Sequence, residues 1–266
     1  MTRICVAGGT GQVGREVVRQ AVDAGHEVAV LSRHPRSADT DGYVQGAEYF
    51  RADVTTGEGL AAALTGADVV IDCLEGRSGK ALKDFADGGA RLLAAAQDTG
   101  VAKAVMLSII NCDRSNYGFY RSRAAKEHVY EQSGLETVVV RATQFHSLLA
   151  TMFAAGSKIR IIPVVKGARF QPISAAEVAA ALLETALEPP SGTRHRVRTI
   201  GGPEIRDMAE LALVWKRVSG SRGRLVRLPL PGAMGKYLRN GLNLVPEERH
   251  GQETFEGWLA KNADSL

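Results

Sequence analysis

Three cysteines, two tryptophans and an aromatic content of 6% are all that this 266-residue chain carries of its rarer side chains. Cys5, Cys73 and Cys112 are odd in number and show no C-x-x-C pairing. No histidines cluster near them, so neither a disulfide framework nor a metal site is expected. Cys5 and Cys73 fall inside apolar runs that read as strands, where a small reduced thiol packs as a hydrophobe. No apolar stretch approaches membrane-spanning length, and Arg3-Ile4-Cys5-Val6-Ala7 leaves no room for a signal peptide ahead of it. The expectation is a cytoplasmic protein with no membrane partner. Runs of one charge are also missing: 33 basic residues are scattered among 29 acidic ones, for a net charge of +4 and a pI near 9.0. That balance suits an anionic cofactor and is too diffuse for a nucleic-acid footprint. No linker, low-complexity segment or internal repeat divides the chain, and 45% hydrophobic content is enough for a substantial core.

What is present is an alternation of short apolar runs with helix-length amphipathic segments, the pattern of a parallel sheet wrapped by helices. Strands are expected at 3–7, 27–31, 48–51, 68–73, 103–108 and 136–141, with helices at 12–24, 80–98, 117–132 and 143–155. In the first helix Val13, Val17, Ala21 and Ala24 form one apolar stripe, and Gly25 ends it. Further on the pattern predicts strands at 159–165, 195–200 and 224–228 and helices at 175–187, 206–218 and 252–261, with a break at Pro229-Leu230-Pro231-Gly232. The α/β reading is one integrated fold, with a dinucleotide-binding core over 1–155 and a remainder, 156–266, that completes the sheet and forms a small substrate lobe. In such sheets ligands bind at the carboxyl ends of the strands, which draws attention to Cys73 and Leu74 after the fourth strand and Ser108 at the end of the fifth.

The most informative segment is Gly8-Gly9-Thr10-Gly11-Gln12-Val13-Gly14, directly after an apolar strand and directly before an amphipathic helix. Gly8 permits a tight turn, Gly11 lets backbone approach a pyrophosphate, and Gly14 lets helix and strand pack closely. The helix N-terminus then offers N–H groups and a positive dipole end to the anion. Sites specific for NAD keep a carboxylate at the end of the second strand, but here no acid occurs between Glu27 and Asp39. That position reads Ser32-Arg33-His34-Pro35-Arg36: either Arg33 and Arg36 pair with a 2′-phosphate, aided by the Ser32 hydroxyl, or they are two solvated arginines. Asp53-Val54, after the third strand, is placed for the adenine edge, although Asp53 also fits an N-cap or a turn. NADP(H) is the expected cofactor.

These motifs give the chain its likeness. It resembles the NmrA-like branch of the atypical short-chain dehydrogenase/reductases through the glycine turn, Leu31-Ser32-Arg33, Asp53-Val54, Val70-Ile71-Asp72, Leu107-Ser108 and Ser133-Gly134-Leu135. Arg141-Ala142-Thr143-Gln144-Phe145, Gln171-Pro172-Ile173 and Gly201-Gly202-Pro203-Glu204 extend the match. The resemblance implies a doubly wound sheet of about seven parallel strands, NADP(H) in the crevice, a small-molecule substrate and either hydride transfer or redox sensing; a homodimer is compatible with it.

Where short-chain reductases carry Tyr-x-x-x-Lys, this chain reads Phe119-Tyr120-Arg121-Ser122-Arg123. Arg123 retains a charge able to bind ribose hydroxyls, whereas Phe119 has no proton to give. Tyr117 and Tyr120 lie nearby at different helical angles, so each is either a substitute acid or a packing residue. His146, with Gln144, follows the sixth strand and serves either substrate chemistry or a structural hydrogen bond. Trp215, Tyr237 and Trp258 are expected in lobe packing.

Overall fold

The computed structural model describes residues 1–263. Its first strands are β1 (Arg3–Ala7), β2 (Glu27–Ser32), β3 (Ala47–Arg51), β4 (Val69–Asp72), β5 (Lys103–Ile109) and β6 (Glu136–Ala142). After them come β7 (Ile161–Val165), β8 (Arg169–Phe170), β9 (His195–Ile200), β10 (Arg206–Asp207) and β11 (Arg224–Leu228). The helices are α1 (Gln12–Asp23), α2 (Leu60–Leu64), α3 (Gly79–Lys83), α4 (Phe85–Asp98) and α5 (Gly118–Glu131), then α6 (His146–Ser157), α7 (Ala175–Leu187), α8 (Met208–Ser219), α9 (Gly232–Arg239) and α10 (Phe255–Lys261).

Seven strands form one parallel sheet in the order β3-β2-β1-β4-β5-β6-β9, the doubly wound arrangement the alternation predicts. The chain starts at the centre with β1, winds outward to β3, then returns through β4 to wind the other way. The order therefore reverses between β1 and β4, whose carboxyl ends carry the glycine turn and Cys73-Leu74. Both faces of these central strands are covered, so they read as continuous apolar runs rather than alternating ones: Ile4 to Ala7 and Val69 to Asp72 are buried throughout. The core beneath them is largely aliphatic, with Leu31, Leu60, Leu64, Leu92, Met106 and Val139 packed together.

Close contacts divide the chain into two compact units that interleave in sequence. One comprises Met1–Ser108, Gly118–Arg141 and Val178–Arg198; the other comprises Ile109–Tyr117, Ala142–Glu177 and Thr199–Leu266. Within the second unit β7 and β11 form a separate two-stranded parallel sheet, and β8 and β10 a short antiparallel pair.

The structure departs from the sequence pattern in several places. The segment 80–98 is two helices rather than one, because Asp84 leaves helical geometry (φ −91°, ψ 14°) between α3 and α4. Residues 143–145 stay extended, with Phe145 bridged to Ile173, so the next helix begins only at His146. After Pro229-Leu230-Pro231-Gly232 the chain enters α9, with Pro231 extended as its N-cap. The three cysteines are buried and unpaired, and burial pushes the Cys5 thiol up to about 12, so it stays protonated.

Candidate functional site

The glycine turn is built by close backbone packing. Gly8 holds φ +78° and donates its N–H to Leu31 O at 3.1 Å, while Gly11 N–H donates to Gly8 O at 2.9 Å. A Cβ on Gly14 would stand 2.2 Å from Gly8 O, and one on Gly8 would stand 3.0 Å from the Cys73 carbonyl. Position 9 has no room either, since a Cβ there would meet Val30 Cγ1 at 2.8 Å. Gly11 differs: its Cβ would meet only Gly8 O, at 3.2 Å, and the residue is exposed. Gly11 is the N-cap of α1, whose N-terminus has no side-chain cap and no acid in its first turn. An anion therefore meets backbone donors and a positive dipole end with no competing carboxylate. A nicotinamide dinucleotide fits this cradle.

Beside the turn lies a groove lined by Gly8, Thr10, Ser32, Arg33, Asp53 and Val54, with Leu74 on the opposite wall. Seven of the residues singled out from the sequence thus share one concavity at the carboxyl ends of β1 to β4. Ser32 Oγ is fixed by both backbone groups of His34, at 3.1 and 3.2 Å, and lies 3.3 Å from Thr10 Oγ1. Arg33 is exposed on the groove wall. Arg36 folds back so that its Nη2 donates to Thr10 O at 3.3 Å, which puts its guanidinium at the edge of the turn. Asp53 is a turn residue: its Oδ1 accepts from Thr55 N–H at 2.7 Å. Partial burial works against its charge, but the Thr55 donors and the Arg33 and Lys80 cations hold its carboxyl below the ordinary value. Cys73 is buried and donates its backbone N–H to Ala7 O at 2.9 Å, tying β4 to the turn.

Phe119 and Arg123 touch each other. The buried Arg123 guanidinium carbon sits 5.0 Å above the Phe119 ring centre and 4.4 Å above that of Phe85, and Nη1 donates to Leu74 O at 3.1 Å. The pair that replaces Tyr-x-x-x-Lys therefore behaves as a cation–π clamp that pins the wall residue Leu74. Tyr120 is buried at 7% exposure against Phe119, and Ser108 is buried at 2%. Tyr117 and His146 belong to the other compact unit. Tyr117 is exposed. His146 is buried, with Nε2 at 3.0 Å from Glu253 O and its ring beside those of Phe255 and Trp258, and burial lowers its pKa. Gln144, also buried, shares a 3.5 Å contact with Asn243.

Sequence reasoning missed a buried cation in the groove's lining. Lys126, 1% exposed, lines the groove between Phe85 and Gly88 and places Nζ 2.6 Å from Asp72 Oδ2. The same carboxylate accepts the Tyr130 hydroxyl at 2.7 Å on Oδ2 and Leu74 N–H at 3.0 Å on Oδ1. Burial draws the Lys126 ammonium below its ordinary pKa against the opposing pull of Asp72. Burial, reinforced by the Asp72 charge, raises Tyr130 well above its own, so the phenol remains a donor. A glycine makes room for this: a Cβ on Gly89 would meet Lys126 Cε at 2.8 Å. Glycine within a helix costs roughly 1 kcal/mol; Gly89 of α4 lets α5 approach with Lys126 between, and its neighbour Gly88 faces Val54, which a Cβ there would meet at 3.1 Å. The signal available in the sequence was this Gly-Gly pair in a helix interior, together with an aspartate ending an otherwise apolar strand.

The arrangement suits binding and orienting a dinucleotide; a bound nicotinamide supplies or accepts a hydride. The chain's own contribution is a phosphate cradle, a cationic rim and a wall anchored at Leu74 by Arg123 and Asp72.

Comparison with known proteins agrees with this geometry. The model of a family described as NAD(P)H-binding matches residues 8–189. The chain is 35% identical over 156 residues to the chloroplastic Arabidopsis thaliana protein high chlorophyll fluorescence phenotype 244, a match covering 58% of this chain and 39% of that protein. It is 26% identical over 236 residues to a photosystem II assembly factor of Cyanophora paradoxa, covering 85% of this chain and 72% of that one. Among solved structures, an Escherichia coli NADPH-dependent quinone oxidoreductase complexed with NADPH superposes with a TM-score of 0.79 at 18% identity, covering 97% of this chain and 99% of the other. A Citrobacter triphenylmethane reductase complexed with NADP(H) superposes at 0.70 and 17% identity, covering 99% and 96%. The chain belongs to the NAD(P)H-binding family and shares the fold of the short-chain dehydrogenase/reductase superfamily.

Proposed function

We propose that this protein is an NADPH-dependent reductase that passes hydride to an acceptor needing little protonic help, such as a quinone or an activated alkene. The observation that carries the reading is the combination of a glycine cradle with an arginine rim at the end of β2, where the sequence supplies no carboxylate between Glu27 and Asp39. Arg33 on the groove wall and Arg36 beside Thr10 are the proposed 2′-phosphate ligands, and Asp53 and Val54 the adenine contacts; Ser108 and Arg123, which lie outside the groove's lining, are the proposed groups on the nicotinamide side. Charged hydrogen bonds of this kind contribute about 1.5 to 3 kcal/mol each. Arg33→Ala is therefore expected to weaken NADPH binding about tenfold or more while changing NADH little, read by fluorescence titration of both cofactors. An equal loss for both would remove Arg33 from the phosphate site.

Phe119 decides the acceptor class. With no phenol at the usual position, the proton comes from Tyr120, water or the substrate. An acid of that kind is worth about 10²- to 10⁴-fold, so simple ketones should be reduced slower than quinones by that order. The quinone oxidoreductase and the triphenylmethane reductase that share the fold act, by name, on conjugated acceptors. Absorbance at the reduced-nicotinamide band tests the proposal across quinones, enones and ketones. Acceptor-dependent oxidation of NADPH supports it, whereas tight NADPH binding with no oxidation by any acceptor refutes it.

The second reading is a non-catalytic NADP(H)-binding factor that acts on a protein partner. It is favoured by the replacement of the catalytic pair with the Phe119–Arg123 clamp and by the assembly-factor names of the sequence relatives. Under this reading partner affinity changes with cofactor redox state, because a ligand shifts an equilibrium only through differential affinity.

A further inference from the structure

The small sheet of β7 and β11 has two unlike faces. Ile162 and Val164 point inward, buried, with α6 and α8 packed on β7. The parallel register sets Ile161 beside Arg224, Pro163 beside Val226 and Val165 beside Leu228 on the opposite face. That face is apolar and open: Ile161 is 36% and Leu228 45% exposed, and Ile159, just before β7, is 71% exposed. Cations frame it. Lys158, Arg160, Lys166, Arg222 and Arg224 are all exposed, and among the described residues none of the five forms an ion pair. Acids are absent from both stretches of chain that build the sheet and its flanks: residues 137–176 and 211–246 contain no Asp or Glu, in a protein with 29 acidic residues.

The charge pattern selects the occupant. A second copy of the same face would bring cation against cation, so self-association is disfavoured. A nucleic acid is read by aromatic stacking alongside cations, and residues 156–169 and 222–228 contain no aromatic side chain. A stable protein interface needs about 800 Å² on each partner, more than two five-residue strands present. Exposed aliphatic side chains ringed by long basic ones fit the boundary between headgroups and acyl chains of an anionic bilayer, where the stems lie along apolar surface and the charges reach phosphates. We propose that the outer face of β7 and β11 is a peripheral docking site for an anionic lipid surface, with Ile159, Ile161 and Leu228 entering the headgroup layer. No spanning helix is required, and no helix among the described residues is long and apolar enough to cross a membrane.

Vesicle flotation of the full chain tests this, with phosphatidylglycerol-containing vesicles compared with pure phosphatidylcholine. The protein should float with the anionic vesicles and remain behind with the neutral ones. Ile161→Asp with Leu228→Asp should weaken flotation about tenfold or more, and Arg222→Glu with Arg224→Glu by a similar factor. Both pairs are exposed, and retained NADPH binding verifies the fold. Failure to float with anionic vesicles overturns the proposal. Flotation indifferent to the aspartate pair overturns it as well, since adsorption would then be by charge alone. Full displacement by inorganic phosphate would assign the cations to a soluble anion. Binding of polyglutamate, lost in both variants while vesicles are ignored, would assign the face to an acidic protein.

Discussion

Gly11→Val is expected to weaken binding of both NADPH and NADH at least about hundredfold, about 2.7 kcal/mol, while leaving the melting temperature close to that of the unmodified protein. The fold tolerates the change because Gly11 is exposed, has φ −81°, and its Cβ would press only on Gly8 O at 3.2 Å. The ligand does not, because the added side chain fills the space above the uncapped N-terminus of α1 where a pyrophosphate approaches. Gly14→Val provides the contrast. Its Cβ would stand 2.2 Å from Gly8 O, so that variant should lose fold and binding together. Cofactor fluorescence and thermal melts on the two variants separate these outcomes. Normal NADPH binding by Gly11→Val would move the phosphate site elsewhere.

Lys126→Ala is expected to have the largest effect on stability. Removal of the ammonium leaves the Asp72 carboxylate fully buried with only the Tyr130 hydroxyl and Leu74 N–H to hold it. Breaking a buried pair from one side costs about 3 to 5 kcal/mol, and replacing both partners costs much less. Lys126→Met combined with Asp72→Asn should therefore recover most of the loss, since the asparagine oxygen still accepts from Leu74 N–H and its amide nitrogen can donate to the Tyr130 hydroxyl oxygen. Denaturant unfolding checks both. A single variant within about 0.5 kcal/mol of the parent would place it among neutral surface substitutions and contradict the pair's role.

The glycine turn, the arginine rim and the strands of the main sheet were legible in the sequence because their signals are local: residue spacing, an absent acid and apolar runs. The Asp72–Lys126–Tyr130 cluster was not, because Tyr130 and Asp72 are 58 residues apart and meet only where α5 folds back against the end of β4. Lys126 is also three residues beyond Arg123, on the same helix side but outside the motif being sought. Helix α9 was hidden by Pro229-Leu230-Pro231-Gly232, which reads as a break but supplies an extended proline N-cap. The expectation of no membrane partner rested on the lack of a spanning segment, a criterion that does not address the peripheral docking proposed for the β7–β11 face.

The central claim is that the cradle at the start of α1 and the arginines after β2 together bind NADP(H). Isothermal titration calorimetry of the unmodified protein with NADPH and NADH tests it most directly. NADPH should bind at least about tenfold more tightly, the equivalent of about 1.4 kcal/mol; equal affinities, or tighter binding of NADH, would contradict the account.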